Sequence, residues 1–164
     1  MSFEAREFRD ALGRFATGVA LVTARAQDAR PIGITINSFS SVSLDPPLVL
    51  WSLATTSPNL EHFAIGSEHL IHILAHDQEA LARRFASRME FKFEGLQHGE
   101  SSRGLPRFDD CLAYFECRTH AWHTEGDHVI VIARVHGLDH RPRDPLLFCG
   151  GRFAVLESAS GNPG

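Results

Sequence analysis

A chain of 164 residues, 43% of them apolar and carrying a formal charge of −4 from sixteen basic and twenty acidic side chains, fits one globular domain with its own core. No Lys/Arg-rich block is available to track a phosphate backbone, which disfavours nucleic acid as a partner. The charged start, MSFEAREFRD, lacks the apolar centre of a signal peptide, and no apolar run is long enough to span a bilayer, so no membrane partner and a cytoplasmic location are expected. The domain is expected over residues 1–157, with residues 158–164 as a flexible tail.

Phe8, Leu12 and Phe15 fall on one stripe and predict a helix over residues 4–16, closed by Gly18. Residues 19–23 and 31–37 then read as strands around a polar turn, and residues 48–53 as the next strand. Ser57-Pro58 opens a predicted short helix ending near residue 64, with Ser57 as N-cap and Pro58 at the first helical position. Its N-terminus is suited to a phosphate. Residues 69–75 read as a strand, and Asp77 is expected to cap a helix running to residue 87. Residues 94–110 are rich in glycine and polar side chains and predict a long loop. Two long strands follow, over residues 112–123 and 128–139, across a turn containing Gly126, and two short strands end the fold. Many strands with few helices favour a mainly β, antiparallel barrel over an open parallel sheet. No GxGxxG follows a strand, which argues against a Rossmann domain.

Cys111, Cys117 and Cys149 are odd in number and lack CxxC spacing, so neither a disulfide framework nor a zinc site is expected, and buried thiols are the default. Five histidines, His120, His123, His128, His136 and His140, lie in one stretch. On alternating strands His120 and His123 point to opposite faces, while His128 and His136 share a face but stand far apart, so no compact metal-ligand set results.

The most informative run is GITINSFSSVSLDPPLVL, residues 33–50. β-branched residues give way to a small, hydroxyl-rich loop, and a second strand starts after Asp45-Pro46-Pro47. Short hydroxyls leave backbone N–H groups uncrowded, and Asn37 both donates and accepts, so this loop suits the polar edge of a planar ligand. The same residues also suit a hairpin connection held by local side-chain to backbone bonds.

This run, with FRDALGRFATGVALVTA (residues 8–24), LARRFAS (81–87), LAYFECR (112–118), GDHVIVIARV (126–135) and PLLFCGGRFAVL (145–156), resembles the short-chain flavin reductase family. Those proteins are the reductase components of two-component flavin-dependent monooxygenases. The blocks come in the family's order and cover nearly the whole chain. The resemblance implies an FMN-binding split antiparallel β-barrel that works as a homodimer, with cofactor sites close to the subunit interface. It also implies hydride transfer from NADH or NADPH to FMN or FAD, and delivery of reduced flavin to a partner monooxygenase. That chemistry is intrinsic to the cofactors. It asks the protein only to stack two rings and stabilise developing charge, which agrees with the lack of a nucleophilic triad or carboxylate pair in the sequence.

Carried over residue by residue, the family pattern places Thr35, Ile36, Asn37, Ser38, Phe39, Ser40 and Ser41 along the flavin. It places Ser52, Ser57 and Asn59 along the ribityl and phosphate portion. Arg84 is expected to add positive charge there, its plainer role being an exposed helix cation beside Arg83. Lys92 and Phe93 match the end of the family's Asp-Lys-Phe pattern, while Phe91 departs from it. His128, after Gly126-Asp127, is expected near the reacting rings as the catalytic residue, with Asp127 fixing the turn. Cys149, Gly150, Gly151 and Arg152 match a segment associated with nicotinamide binding, where small residues permit close approach. Many relatives carry Tyr where this chain has Cys149, and Phe148 or Phe153 would have to supply the aromatic surface. Two other readings stay open on the same residues: a flavin-binding carrier or sensor without turnover, and a split-barrel flavoenzyme that reduces another small acceptor.

Overall fold

The computed structural model describes residues 3–156. Helix α1 (Ala5–Leu12) is followed by β1 (Thr17–Gly18), β2 (Ala20–Arg25), β3 (Pro31–Ile36), β4 (Ser40–Leu44) and β5 (Pro47–Ala54). After a 3-10 turn at Leu60–Phe63 come β6 (Glu68–Ile73), a second 3-10 turn at His76–Gln78 and helix α2 (Glu79–Ala86). The chain continues through β7 (Gly99–Glu100), β8 (Pro106–Arg107), β9 (Ala113–Glu125) and β10 (His128–His140). It closes with β11 (Leu147–Cys149) and β12 (Arg152–Ala154). No helix among the described residues is long and apolar enough to cross a membrane.

Seven strands form one antiparallel sheet in the order β3-β2-β6-β9-β10-β5-β4. Laid flat, its edges would stand roughly 29 Å apart at the usual strand spacing. The edge strands β3 and β4 are joined by Asn37, Ser38 and Phe39 alone, a connection that reaches about 14 Å at full extension. The sheet therefore curls on itself, and those three residues bridge its seam.

Strict alternation fills the interior. Val49, Trp51 and Leu53 of β5, Val129, Val131 and Ala133 of β10, and Ala20, Val22 and Ala24 of β2 are buried together. Trp51 meets Phe63 edge-on at 4.9 Å between ring centres, and its indole N–H donates to His69 Nε2 at 3.4 Å. A second core lies outside the barrel, where Phe85 and Ala82 of α2 cover Leu21 and Val19 together with Phe108 and Leu146. Strand β2 is consequently buried on both faces.

Several elements differ from the sequence expectation. Helix α1 stops at Leu12 rather than residue 16, because Gly13 takes the C-cap and Gly18 belongs to β1, which pairs with β11. None of its residues is buried. The expected helix after Ser57-Pro58 is a 3-10 turn starting at Leu60, with Asn59 ahead of it and no side-chain cap. Asp77 does not cap α2; it pairs with Arg143, and Gln78 Oε1 accepts the Ala75 N–H instead. Part of the hydroxyl-rich loop is strand β4, whose backbone is satisfied by β5, and the expected loop over residues 94–110 contains the β7–β8 hairpin. A bulge at His120 breaks the alternation of β9 between Thr119 and Ala121, so His120 and His123 are both solvent-exposed. The expected tail, residues 158–164, lies outside the described residues.

Candidate functional site

Strand β3 is an edge strand, paired only with β2, and two cavities open along it. At its far end a cavity of about 180 Å3 is lined by Val19, Thr35, Ile36, Asn37, Ala86, Phe148 and Phe153. Toward its start a cavity of about 480 Å3 has Ile32, Gly33, Asn59, Ser87 and Lys92 among its walls. Ala86 and Ser87, at the end of α2, carry the wall from one to the other. The fold thus joins three segments distant in sequence: the run after Gly33, the Ser57–Asn59 region, and the Cys149–Arg152 hairpin through its flanking rings.

Thr35 Oγ1 donates to the Ala82 carbonyl at 2.8 Å, fixing α2 to β3. Ile36 is buried in the barrel core, while Asn37 is exposed at the rim. Ser38 Oγ accepts the Ser52 N–H at 2.9 Å and donates to the Ser52 carbonyl, which fastens the seam connection to β5. Phe39 stacks on Phe115 at 5.6 Å. Ser40 and Ser41 are exposed on β4. Ser57 Oγ accepts the Asn59 N–H at 3.3 Å, presenting Asn59 to the larger cavity.

Arg84 is engaged by the loop that follows α2. Its guanidinium donates to the Lys92 carbonyl at 2.6 Å and to the Glu94 carbonyl, shaping the loop after α2. Lys92 Nζ donates to the Phe85 carbonyl at 2.8 Å at the α2 C-terminus, and burial lowers its pKa. Phe93 points into the second core, 4.9 Å from Phe85, and Phe91 is exposed.

The two-residue turn Gly150-Gly151 joins β11 to β12 with both glycines at positive φ, as a primed hairpin turn requires. Gly150 N–H donates to the Gly13 carbonyl at 2.7 Å, and Cys149 Sγ faces the Gly13 carbonyl at 3.8 Å. Cys149 therefore points toward the end of α1 and does not line either cavity. Arg152 is exposed. The aromatic surface comes from Phe148 and Phe153, edge-on at 5.4 Å, with the Arg83 guanidinium 4.8 Å over the Phe153 ring.

His128 begins β10, facing outward opposite Ala54 and one row from Ser52. It lines neither cavity. Its Nδ1 lies 2.7 Å from Asp127 Oδ1; a carboxylate only accepts, so Nδ1 carries the proton and Nε2 is the free nitrogen. That bond lowers the Asp127 pKa. The Asp127 carbonyl also accepts from Thr55 N–H and Oγ1, so Asp127 orients the imidazole as well as closing the turn. Among the described residues no three His, Cys, Asp or Glu side chains converge on one point.

The family described as the flavin reductase like domain matches residues 12–157. The chain belongs to this family. It is 47% identical over 148 residues to the FMN reductase (NADH) SmoA of Agrobacterium fabrum, covering 90% of this chain and 84% of that protein. It is 44% identical over 130 residues to the reductase component of the flavin-dependent trigonelline monooxygenase of Acinetobacter baylyi, where it covers 79% of this chain but 42% of the relative. Among solved structures, the NADH:FAD oxidoreductase SgcE6 of Streptomyces globisporus, in complex with NAD and FAD fragments, superposes with a TM-score of 0.89 at 32% identity over 96% of both chains. The split-barrel class, the flavin reductase chemistry and the pairing of flavin with reduced nicotinamide expected from the motifs all hold.

Within this flavin reductase fold, Arg30 and Arg88 stand at the larger cavity although no motif marked them. They come from the β2–β3 turn and the residues after α2, segments that only the folded chain brings together. A cation in each was the sole signal available in sequence.

Proposed function

We propose that this chain transfers hydride from NADH or NADPH to FMN or FAD and releases the reduced flavin to a separate monooxygenase in the cytoplasm. The observation that carries this reading is the pair of cavities along β3, one apolar and aromatic and the other cation-lined. A flavin has that same division, a planar ring system and an anionic phosphate end. When bound, the two cofactors supply the hydride chemistry.

The chain's own residues bind and orient. Phe148 and Phe153 offer ring faces at the apolar end, and Asn37 offers a donor and an acceptor at its rim. The Ser38–Ser52 bonds fasten the 37–41 connection, with the exposed Ser40 and Ser41 hydroxyls available to a polar ring edge. Asn59 and Lys92 face the anionic end. His128, with Nδ1 tied to Asp127, keeps Nε2 available for a proton or hydrogen bond on the outer face beside Ser52.

A homodimer completes the reading. Val42 is 45% and Leu44 94% exposed on β4, and Phe8 and Leu12 of α1 and Phe15 just after it are exposed as well. Exposed apolar side chains grouped on β4 and around α1 suit a protein partner.

Anaerobic mixing of the protein with NADH and a modest excess of FMN tests the function directly. The expected result is bleaching of the flavin absorbance with matching loss of nicotinamide absorbance. Gel filtration of the oxidised mixture, with flavin eluting apart from protein, tests release; co-elution would point to a retained flavin.

A further inference from the structure

We infer that Arg30 and Arg88 select flavins by charge, recognising the phosphate end that FMN and FAD share. This rests on the reading of the β3 cavities as the flavin site. The cavity of about 480 Å3 is lined by Arg30, Arg88 and Lys92 against one carboxylate, Glu90, with Asn59 and Ser87 adding neutral polar groups. A phosphomonoester carries roughly two negative charges near neutrality, so this excess of cations matches it.

Arg84, the cation that the sequence points to for this role, donates through Nε and Nη2 to the Lys92 and Glu94 carbonyls and does not line the cavity. These bonds hold residues 92–94 against α2, and Lys92 lines the cavity together with Arg88. Arg30 comes from a separate segment, the base of the β2–β3 turn, where the Ala26 N–H donates to the Arg30 carbonyl at 3.0 Å. Its side chain meets Asp28 at 3.3 Å, with both groups mostly exposed, an ion pair too weakly held to keep the guanidinium from a phosphate. Two arginines thus line one cavity from separate segments, together with Asn59. Guanidinium groups suit phosphate oxygens through paired N–H donors.

The test compares wild type with R30A/R88A and with R88E in steady-state reduction of FMN, FAD and riboflavin, alongside fluorescence titration of each flavin without nicotinamide. The expected result is a fall of about tenfold in the kcat/KM preference for FMN over riboflavin in the double variant, from loss of charge-assisted bonds, and a larger fall in R88E. The FMN dissociation constant should rise in parallel and lose much of its salt dependence. A matching fall with FAD places its diphosphate in the same cavity; a fall with FMN alone assigns the cavity to a terminal monophosphate. An unchanged FMN-to-riboflavin preference, or a change confined to KM for NADH or NADPH, overturns the assignment. If wild type reduces no flavin, the underlying function fails, and the binding titrations still decide whether the arginines read the phosphate.

Discussion

Gly33 lies directly beneath the ring of Phe85: a Cβ added at Gly33 would stand 2.6 Å from the nearest ring carbon. Phe85 is fully buried and joins α2 to the outside of the barrel, so the missing side chain is what lets α2 approach β3 and form the cavity wall at Ala86 and Ser87. Gly33→Ala should destabilise the protein by about 1–3 kcal/mol through overpacking and should raise KM for flavin by displacing that wall. Denaturant unfolding with parallel kinetics checks both effects, and a fully stable variant would show that the ring has room to move.

Ser38 holds the seam. Ser38→Ala leaves the Ser52 N–H without the acceptor it has at 2.9 Å, at a cost of about 1–2 kcal/mol. Because the same residue positions the 37–41 connection, flavin affinity should weaken as well. Ser38→Thr keeps the hydroxyl and should recover most of the affinity; failure of that rescue would assign the loss to packing instead.

His128 and Asp127 should separate in kinetics. The His128 side chain is 49% exposed, so His128→Ala should leave the thermal midpoint nearly unchanged while lowering kcat by about tenfold or more, as loss of a positioned acid–base group does. Asp127→Asn removes the carboxylate that fixes the Nδ1 proton and should give a smaller loss with a displaced pH profile. Wild-type turnover in His128→Ala would remove this imidazole from the reaction.

Acid stability depends on two buried histidines. Burial lowers the pKa of His69 and of His72 from 6.5 to about 4, opposed weakly by the Ser67 and Leu21 backbones respectively. His72 Nδ1 donates to the Leu21 carbonyl at 3.1 Å, and Nε2 accepts the Phe108 N–H at 3.2 Å, a pattern only the neutral ring satisfies. The unfolded chain binds more protons between these values, so the stabilisation is complete above about pH 6.5 and is lost as pH falls toward 4, by about 3 kcal/mol for each ring. Unfolding within that window should take up protons and show a falling urea midpoint. A midpoint flat across it would contradict the neutral pair.

Much of this fold is legible in sequence where the signal is local. The alternation of Val49, Trp51 and Leu53 marks β5, and Gly126 marks the β9–β10 turn, because each depends on neighbours a few residues away. Thr17-Gly18 reads as the tail of a helix until β11 supplies its partner, and the serines of β4 read as loop until β5 takes up their backbone groups. The site follows the same division. The hydroxyl-rich run announces itself, whereas the commitment of Arg84 to two carbonyls and the placing of Arg30 and Arg88 on one cavity depend on how the loop after α2 folds back. Cys149 is instructive in another way: the residue aligned with a family aromatic faces Gly13, and the rings that line the cavity are its neighbours Phe148 and Phe153.

The central claim is tested most directly by following nicotinamide absorbance with purified protein, NADH or NADPH, and no flavin, FMN, FAD or riboflavin. Reduced nicotinamide should be consumed only when a flavin is present, fastest with a phosphorylated one. Flavin that binds without any consumption of NADH or NADPH would contradict it and make the chain a flavin carrier or sensor.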